Sequence, residues 1–464
     1  MVLPFRLRWI LSPLLVLIGL VAGSAGCRAQ SFFSDRERAK IVAYWAVPGR
    51  HVITAAPPEP PGAGPWQVRL TADGSAWFLA YQKVVSGNAK PPPTLDARAP
   101  VGATGMTSSG AQVSTAGWET WVQVKLAHDR AAAQATADRA NAAALGRTVP
   151  NPAAPPPPLG PIPPTLLAAC GNPPPFADAV TPLRHVVTFE NEPEPYVFAD
   201  NVRTRERYAY YRFPQGTVAY GTPLREMPGT ELDSLFAAAG MTPAEQRIAR
   251  AVSKLEGGFE TVNTYDTGYV SIGFIQFITG EEGRGSLSQV LAREKTDRPN
   301  DFAQDFHRFG IDVDPFTGTL IVCDPSTGAE LWGAPAVQKI IADKRLAAVF
   351  QRAGRKSLAF RVAQIQLAKA RYWPADEPIK IVIKGREMTG KVSDVVRSEA
   401  GLATLFDRKV NRGTIAPFAD VLTRVMTARG GKTLADAAKF EREIIAQLKY
   451  RADFLADPTL SKPK

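Results

Sequence analysis

Proline is concentrated in one short segment of this chain. Twelve of the twenty-nine residues from Thr148 to Phe176 are proline, including the run Pro155 to Pro158. Proline fixes φ and lacks a backbone donor, so such a segment favours an extended spacer over a helix or a sheet. We therefore predict a proline-rich linker over residues 148–176, within a chain of 464 residues that is long enough for several domains.

The N-terminus has the residue order of a secretory signal. Two arginines precede an apolar run from Trp9 to Val21, and small residues follow it. A membrane-spanning helix needs about 20 apolar residues, and this run is shorter. We predict a signal peptide over residues 1–26. The segment before Cys27 resembles a bacterial lipoprotein cleavage box, in which Cys27 would be lipidated; cleavage nearby without a lipid is the alternative.

The region between the signal and the linker has a mixed composition. Short aromatic runs at Trp66 to Leu70 and Trp77 to Tyr81 predict strands. Residues 86–116 are rich in Gly, Ser, Thr and Pro, whereas residues 118–145 are rich in Ala, a strong helix former. We expect residues 31–147 to form a small β unit and a helix, with part of the region disordered.

Strand character resumes after the linker. The segments Arg184 to Phe189 and Arg207 to Tyr220 are rich in β-branched and aromatic residues, which predicts a small β-rich module over residues 177–235. In an exported protein, Cys170 and Cys323 would reach a compartment that permits a disulfide. The sequence leaves open whether the two cysteines pair.

From residue 241 onward the pattern is that of amphipathic helices, and we predict a catalytic domain over residues 240–455. Thr242-Pro243-Ala244-Glu245 is a capping box with proline at the first helical position. This helix ends near Gly257-Gly258, so Glu256 lies at its C-terminal end. Further helices are predicted at 286–295, 335–352, 357–372, 391–411, 415–428 and 433–454, with a hairpin over 312–331.

The surroundings of Glu256 indicate chemistry. A carboxylate at a helix C-terminus faces the negative end of the helix dipole, and Leu255 and Phe259 beside it are apolar. This environment raises the pKa of a carboxyl group, as a general acid that protonates a glycosidic oxygen requires. The residues from Thr261 to Phe277 then predict a β-hairpin that turns at Asp266-Thr267-Gly268.

The order of helix, terminal Glu, hairpin and strand resembles the active-site core of the lysozyme superfamily over about twenty residues. Phage-type lysozymes have a Glu, an Asp and a Thr-Ile-Gly where this chain has Glu256, Asp266 and Ser271-Ile272-Gly273. Lytic transglycosylases have Glu-Ser and then Ser-x-Gly-x-x-Gln; Ser271 to Gln276 is similar to the second part, but Gly257 replaces the first Ser. Chitosanases of this superfamily also pair a helix-end Glu with a hairpin Asp.

The resemblance implies catalytic roles for three residues. Glu256 would be the general acid, Asp266 the second carboxylate, and Ser271 would hold the attacking water or a sugar hydroxyl. For Asp266, ordinary turn chemistry is the alternative. Glu281 and Glu282, just after the return strand, are alternative candidates for the second carboxylate.

The resemblance also implies substrate-binding residues. Tyr265 and Tyr269 would stack on sugar rings, although core packing is the alternative. Gln276 would bond an N-acetyl group, or else make a buried structural hydrogen bond. The stretch that carries Asp407 and Asn411 is similar to a Phe-Asp-x-x-x-Asn-x-Gly pattern of lysozyme-like enzymes; we assign Asn411 to the substrate and favour a structural role for Asp407.

The charge of the protein selects among substrates. A formal net charge of +11 attracts polyanions, and export disfavours nucleic acid as the partner. Loss of Arg6 and Arg8 with the signal leaves at most +9, which still repels cationic chitosan. We expect a monomeric bacterial glycosidase of the periplasm, envelope or exterior that cleaves β-1,4 bonds of peptidoglycan. We expect it to need no cofactor or metal, and to contact the membrane only through a lipid on Cys27. A chitosanase, a lytic transglycosylase and a non-catalytic envelope protein that binds glycan are the alternatives.

These expectations combine into one fold class. We predict an α+β protein whose C-terminal domain is mainly α-helical and lysozyme-like, with a small β-hairpin. A small β-rich module and the proline-rich linker would precede that domain.

Overall fold

The computed structural model describes residues 31–58, 62–85, 117–148, 156–201 and 215–463. The protein is α+β, about 49% helix and 14% strand, and its sheets are small. Within the described ranges, no helix has the length and apolar character needed to cross a bilayer. The predicted signal peptide, Cys27, residues 86–116 and most of the predicted strand over 207–220 lie outside the described residues.

The elements follow one another in chain order. The first part contains α1 (Asp35–Trp45), β1 (His51–Ala55), β2 (Gln67–Leu70), α2 (Ala72–Val85), α3 (Trp118–Ala144), α4 (Pro164–Cys170), β3 (Ala177–Val180), β4 (Leu183–Val187) and β5 (Tyr196–Ala199). The middle part contains β6 (Val218–Ala219), α5 (Gly229–Ala238), α6 (Pro243–Ser253), β7 (Val262–Asn263), β8 (Ser271–Ile272) and β9 (Phe277–Ile278).

The remaining segments of the chain alternate helices and strands. They contain α7 (Ser286–Asp297), α8 (Pro299–Asp305), β10 (Ile311–Val313), β11 (Leu320–Cys323), β12 (Glu330–Trp332), α9 (Ala334–Ala342), α10 (Lys344–Lys356), α11 (Leu358–Tyr372), β13 (Pro378–Ile383), β14 (Arg386–Lys391), α12 (Val392–Val395), α13 (Glu399–Arg412), α14 (Phe418–Arg429), α15 (Leu434–Ala437) and α16 (Glu441–Ala446). Short 3₁₀ helices lie at Leu224–Glu226, His307–Phe309 and Ala438–Phe440.

The strand predicted at Trp77 to Tyr81 is wrong, because these residues lie in helix α2. Trp77, Phe78, Tyr81 and Val84 are all buried on one face, and their spacing of three and four residues is that of a helix. A short aromatic run is found both in strands and on buried helix faces, so the run alone does not distinguish the two.

The linker prediction is wrong for its second half. Pro164 occupies the first turn of α4, where its missing N–H costs nothing. Leu166, Cys170 and Phe176 are buried with Trp77 and other residues of α2 and α3 in a small core. Strand β2 pairs antiparallel with β3, which closes this unit. Residues 156–176 of the proline-rich segment therefore pack with α2 and α3 in one small unit.

The main hydrophobic core joins the N-terminal segment to the middle of the chain, as far as residue 372. Phe33, Ile41 and Trp45 of the N-terminal region pack in the same core as the hairpin and helices α7 to α11. The indole N–H of Trp45 donates to the carbonyl of Phe309 at 3.1 Å. Strand β1 forms a sheet with β4 and β5, whose inner side chains enter this core. The sequence predicts a separate N-terminal region and a separate β-rich module. Side chains of both instead pack in the main core.

A shortened chain that begins at residue 177 is therefore expected not to fold. It lacks β1 and the side chains of Phe33, Ile41 and Trp45, which are only 0–3% exposed. Loss of one large buried side chain costs about 3–5 kcal/mol, so three such losses approach the whole stability of a typical domain. Circular dichroism during urea titration checks this; a cooperative transition in the shortened chain would contradict it.

The hairpin after residue 256 is confirmed, with strands of only two residues each. Val262 lies opposite Ile272 and Asn263 opposite Ser271 in the antiparallel pair β7–β8. Strands β6 and β9 extend it to a four-stranded sheet. The predicted hairpin over 312–331 is also present as β11–β12, with β10 added on its other side.

The C-terminal helices pack in two further cores. One core unites β13 and β14 with α12 to α16, and the other joins α6 to α13 through Ile248, Val252, Ala403 and Phe406. The helix predicted at 335–352 is two helices, because Asp343 caps the second one by accepting from the backbone N–H of Arg345. The helix predicted at 391–411 is two helices, α12 and α13, and the one at 433–454 is broken into shorter pieces.

The two cysteines of the described chain do not pair. Cys170 is buried in the small core of α2 to α4 and Cys323 in the main core, and both are free thiols. Burial raises the pKa of Cys170 to about 12 and that of Cys323 to about 11. Neither thiol is therefore ionised near neutral pH.

Candidate active site

Helix α6 positions Glu256 at the junction of the helix with the hairpin. The predicted capping box is present: Thr242 and Glu245 bond each other's backbone N–H groups. The helix ends at Ser253, and Glu256 follows in a turn in which its N–H donates to the carbonyl of Ser253 at 3.0 Å. The next N–H, of Gly257, donates to the carbonyl of Phe274 in the hairpin at 3.0 Å. Glu256 therefore lies just beyond the helix and is tied to the hairpin.

Gly258 is required for this turn. A Cβ atom on Gly258 would lie 2.4 Å from the carbonyl oxygen of Thr222, closer than any side chain tolerates. The Gly258 N–H donates to the hydroxyl of Thr261 at 3.0 Å. A glycine thus allows the chain to reverse between Glu256 and the first hairpin strand.

The side chain of Glu256 is in an apolar environment. It is only 9% exposed and borders a small pocket of about 20 Å³ lined mainly by apolar side chains. Burial raises the pKa of Glu256 above its usual value; Arg451 acts in the opposite direction, and the nearby Asp407 carboxylate adds to the rise. The apolar surroundings predicted for Glu256 are therefore present, and burial is the largest cause of its raised pKa. The pocket is lined by Phe236, Met241, Ala249, Val252, Ser253, Glu256, Phe274, Ile275, Ile365, Ala368, Phe406 and Val410.

Arg451 links Glu256 to a second buried carboxylate. Its Nη2 donates to Oε1 of Glu256, and its Nε donates to Oδ1 of Asp407 at 2.7 Å. The Arg451 backbone N–H reaches the other Asp407 oxygen at 3.3 Å, and Nη1 donates to the carbonyl of Leu255 at 3.2 Å. Asp407 is 1% exposed. The guanidinium thus fixes the Glu256 carboxyl and neutralises Asp407.

Sequence reasoning missed Arg451. It lies in the turn after α16, 195 residues from Glu256, and no local motif surrounds it. For Asp407, a structural role was the favoured prediction, and its bonds to Arg451 place it beside the candidate acid. Charged side chains are rarely buried without a partner, so a buried Asp407 would need a nearby cation. This requirement was the one signal in the sequence that pointed to a residue such as Arg451.

Both side-chain oxygens of Asp266 accept hydrogen bonds within the hairpin turn. Its Oδ1 accepts from the N–H of Gly268 at 2.9 Å, and its Oδ2 accepts from the side-chain amide of Asn263 at 2.8 Å. Burial raises the pKa of Asp266, whereas these two hydrogen bonds lower it. Among the described contacts, none joins Asp266 to Glu256. The geometry is that of the turn alternative.

The other predicted hairpin residues serve mainly local contacts. Ser271 is 3% exposed on β8. The Gln276 side-chain amide donates to the carbonyl of Gly273 at 3.1 Å, a bond within its own turn. Tyr269 is 5% exposed and packs in the main core, and Tyr265 is half-buried. These positions match the alternatives of core packing and local hydrogen bonding.

The remaining predicted residues are not brought to Glu256. The side-chain amide of Asn411 donates to the carbonyl of Asp407, one helical turn earlier, at 3.2 Å, and Asn411 is exposed. Glu281 and Glu282 are exposed and lie beyond β9. In the part of the chain that the structure describes, no group of three His, Cys, Asp or Glu side chains could hold a metal ion.

The arrangement supports proton donation from one carboxyl. Glu256 is buried, oriented by Arg451, and has a raised pKa. No protein-family model, curated protein or solved structure matches this chain.

Proposed function

We propose that this protein is an exported glycoside hydrolase that cleaves β-1,4 bonds of peptidoglycan, with Glu256 as the general acid. The observation that carries the proposal is the buried Glu256 carboxyl, with its raised pKa, at the junction of α6 and the hairpin. A proton donor for a glycosidic oxygen needs a carboxyl pKa above the usual range, and burial shifts the pKa of Glu256 in that direction.

Arg451 suits the role of a positioning residue. It donates to Oε1 of Glu256, and no group in the described ranges donates to Oε2, so Oε2 can carry the proton. A fixed carboxyl with one free oxygen presents that proton in one direction. Arg451 also moderates the rise in pKa, which leaves Glu256 able to lose its proton during the reaction.

The proposed substrate follows from charge and from the lysozyme-like order of elements. The formal net charge of +11 falls to +9 when residues 1–26, with Arg6 and Arg8, are removed. A protein of this charge is attracted to the acidic polymers of a bacterial envelope and repelled by chitosan. The pocket beside Glu256, of about 20 Å³, holds no more than one or two water molecules. A sugar ring would therefore lie on the surface next to it rather than inside it.

A lytic transglycosylase is the second candidate, because both oxygens of Asp266 already accept hydrogen bonds within the hairpin. Such an enzyme needs an acid but no second carboxylate for water, since a hydroxyl of the substrate itself attacks. The Ser271 to Gln276 segment is also similar to the pattern of that family.

Replacement of Asp266 with Asn separates these two mechanisms. Asn keeps the oxygen that accepts from the Gly268 N–H, so this turn bond persists, whereas the bond from the Asn263 amide is lost because an amide nitrogen cannot accept it. If Asp266 only forms the turn, we expect cleavage to stay within about threefold of the wild type. A second catalytic carboxylate would instead cost about 100-fold or more. The initial rate of peptidoglycan clearing measures the difference, with circular dichroism to verify folding.

The proposed function is tested with the full-length protein on peptidoglycan, chitin and chitosan suspensions in parallel. We expect clearing of peptidoglycan only. The non-catalytic alternative predicts that the protein sediments with peptidoglycan and never clears it. Clearing of chitosan alone would overturn the proposed substrate.

A further inference from the structure

A second pocket lies in the main body, bordered by α1, the β4–β5 loop, the 3₁₀ helix His307–Phe309 and α10. Its volume is about 350 Å³, within the range of small-molecule sites. Two buried rings, Phe189 and Phe309, lie in its wall. None of its residues belongs to the Glu256 site. Its charged lining residues are Glu190, Glu192, Arg308, Arg352 and Lys356.

The buried acid of this pocket is already neutralised. Glu192 has a side chain only 8% exposed, and its Oε1 accepts from Nε of Arg352 at 2.6 Å. Its Oε2 lies 2.9 Å from Nζ of Lys356 and accepts from the hydroxyl of Tyr196 at 3.2 Å. Both oxygens are therefore occupied, and Glu192 has little capacity to bind a cation.

Arg308, by contrast, has N–H donors without a hydrogen-bond acceptor among the described residues. Its Nε donates to the carbonyl of Gln304 at 2.8 Å, and within the described residues it forms no ion pair with an acid. Its guanidinium carbon lies 4.5 Å from the ring centre of Phe309, and that of Arg352 lies 5.2 Å from the same ring. Burial, and next the charge of Arg352, lower the pKa of Arg308. The pocket lining has a formal charge of +1, and Arg308 is its cation without an acid partner among the described residues.

We propose that this pocket binds an oxyanion, a phosphate or carboxylate group of a small ligand, through Arg308 and Lys356. The free hydrogen-bonding groups of these two residues are all donors, and a guanidinium presents its two terminal nitrogens as a fork that matches two oxygens of one anion. The anion would offset the repulsion between Arg308 and Arg352. This site is independent of the proposed glycosidase activity.

Isothermal titration calorimetry tests the proposal. The full-length protein is titrated with inorganic phosphate, and separately with acetate, at constant ionic strength. We expect saturable binding of at least one anion, with a Kd of about 1 mM. Tighter binding of phosphate identifies a phosphate ligand, and tighter binding of acetate a carboxylate. Arg308→Gln is expected to weaken binding at least about tenfold, because a charge-assisted hydrogen-bond pair is lost.

Arg298→Gln is the matched control. Arg298 is 55% exposed, lies outside this pocket and has an acid neighbour, Asp301, at 4.0 Å, so its loss removes the same charge elsewhere on the surface. Its affinity should stay within about twofold of the wild type. If Arg308→Gln fails to fold, Lys356→Gln replaces it, since Lys356 is 44% exposed. The proposal is overturned by no saturable binding up to about 50 mM of either anion, or by equal affinity of the pocket variant and the wild type.

Discussion

Glu256→Gln is expected to lower the rate of peptidoglycan cleavage by about 100-fold to 10,000-fold while the protein stays folded. Gln has the shape of Glu and can still accept the hydrogen bond from Arg451. It cannot supply a proton to a leaving oxygen. Since burial already favours the neutral form of Glu256, an amide in this position costs little stability.

The control for this variant is Glu226→Gln, which removes a carboxylate that is 57% exposed. Among the described residues its one ion pair is with Arg225, which is 56% exposed. We expect its rate to stay within about twofold of the wild type, because exposed pairs contribute little. Initial clearing rates and thermal melting curves are compared for the three proteins. An active Glu256→Gln protein would refute the assignment of Glu256.

Arg451→Met is expected to lower the free energy of unfolding by about 3–5 kcal/mol. The side chains of Asp407 and Glu256 are 1% and 9% exposed, and Arg451 is the cation that contacts both. Its removal leaves the two buried carboxyl groups with no cationic partner in the part of the chain that the structure describes. Urea titration at neutral pH measures the loss.

The pH dependence of this loss has a definite sign. Without Arg451 the pKa of Glu256 should rise further above its unfolded value, since the cation opposes the rise in the wild type. The folded variant then binds more protons than the unfolded chain, so its stability increases as the pH falls through the folded pKa. The destabilisation should therefore be smaller at about pH 5 than at about pH 8.

Two comparisons isolate the buried network. Arg429→Met removes an exposed pair with Glu443, with side chains 57% and 37% exposed, and should cost less than about 1 kcal/mol. The double variant Asp407→Leu with Arg451→Met should recover part of the loss, because an apolar pair replaces an uncompensated charge. An Arg451→Met protein as stable as Arg429→Met would contradict the role given to the network.

Local patterns made the region around Glu256 predictable. The capping box at Thr242 and Glu245 fixes where α6 begins, and its contacts lie within three residues. The hairpin that follows turns at Asp266 through bonds to Gly268 and Asn263, again within three residues. Such short-range geometry is encoded by neighbouring residue types and needs no knowledge of the rest of the chain.

Long-range packing was not predictable in the same way. Arg451 and Glu256 meet across 195 residues, and Trp45 reaches the carbonyl of Phe309 across 264. Composition also misled: the prolines before Leu166 suggested a spacer, yet one proline starts a helix and the following apolar residues complete a core. Which side chains share a core depends on contacts that local periodicity does not specify.

The most direct test of the central claim is mass spectrometry of the fragments that the wild-type protein releases from purified peptidoglycan. We expect soluble disaccharide-peptide fragments that arise from cleavage of the β-1,4 glycan bond, with a hydrolysed end for a hydrolase or an end lighter by one water for a transglycosylase. Intact glycan strands after prolonged incubation with folded, full-length protein would contradict the account.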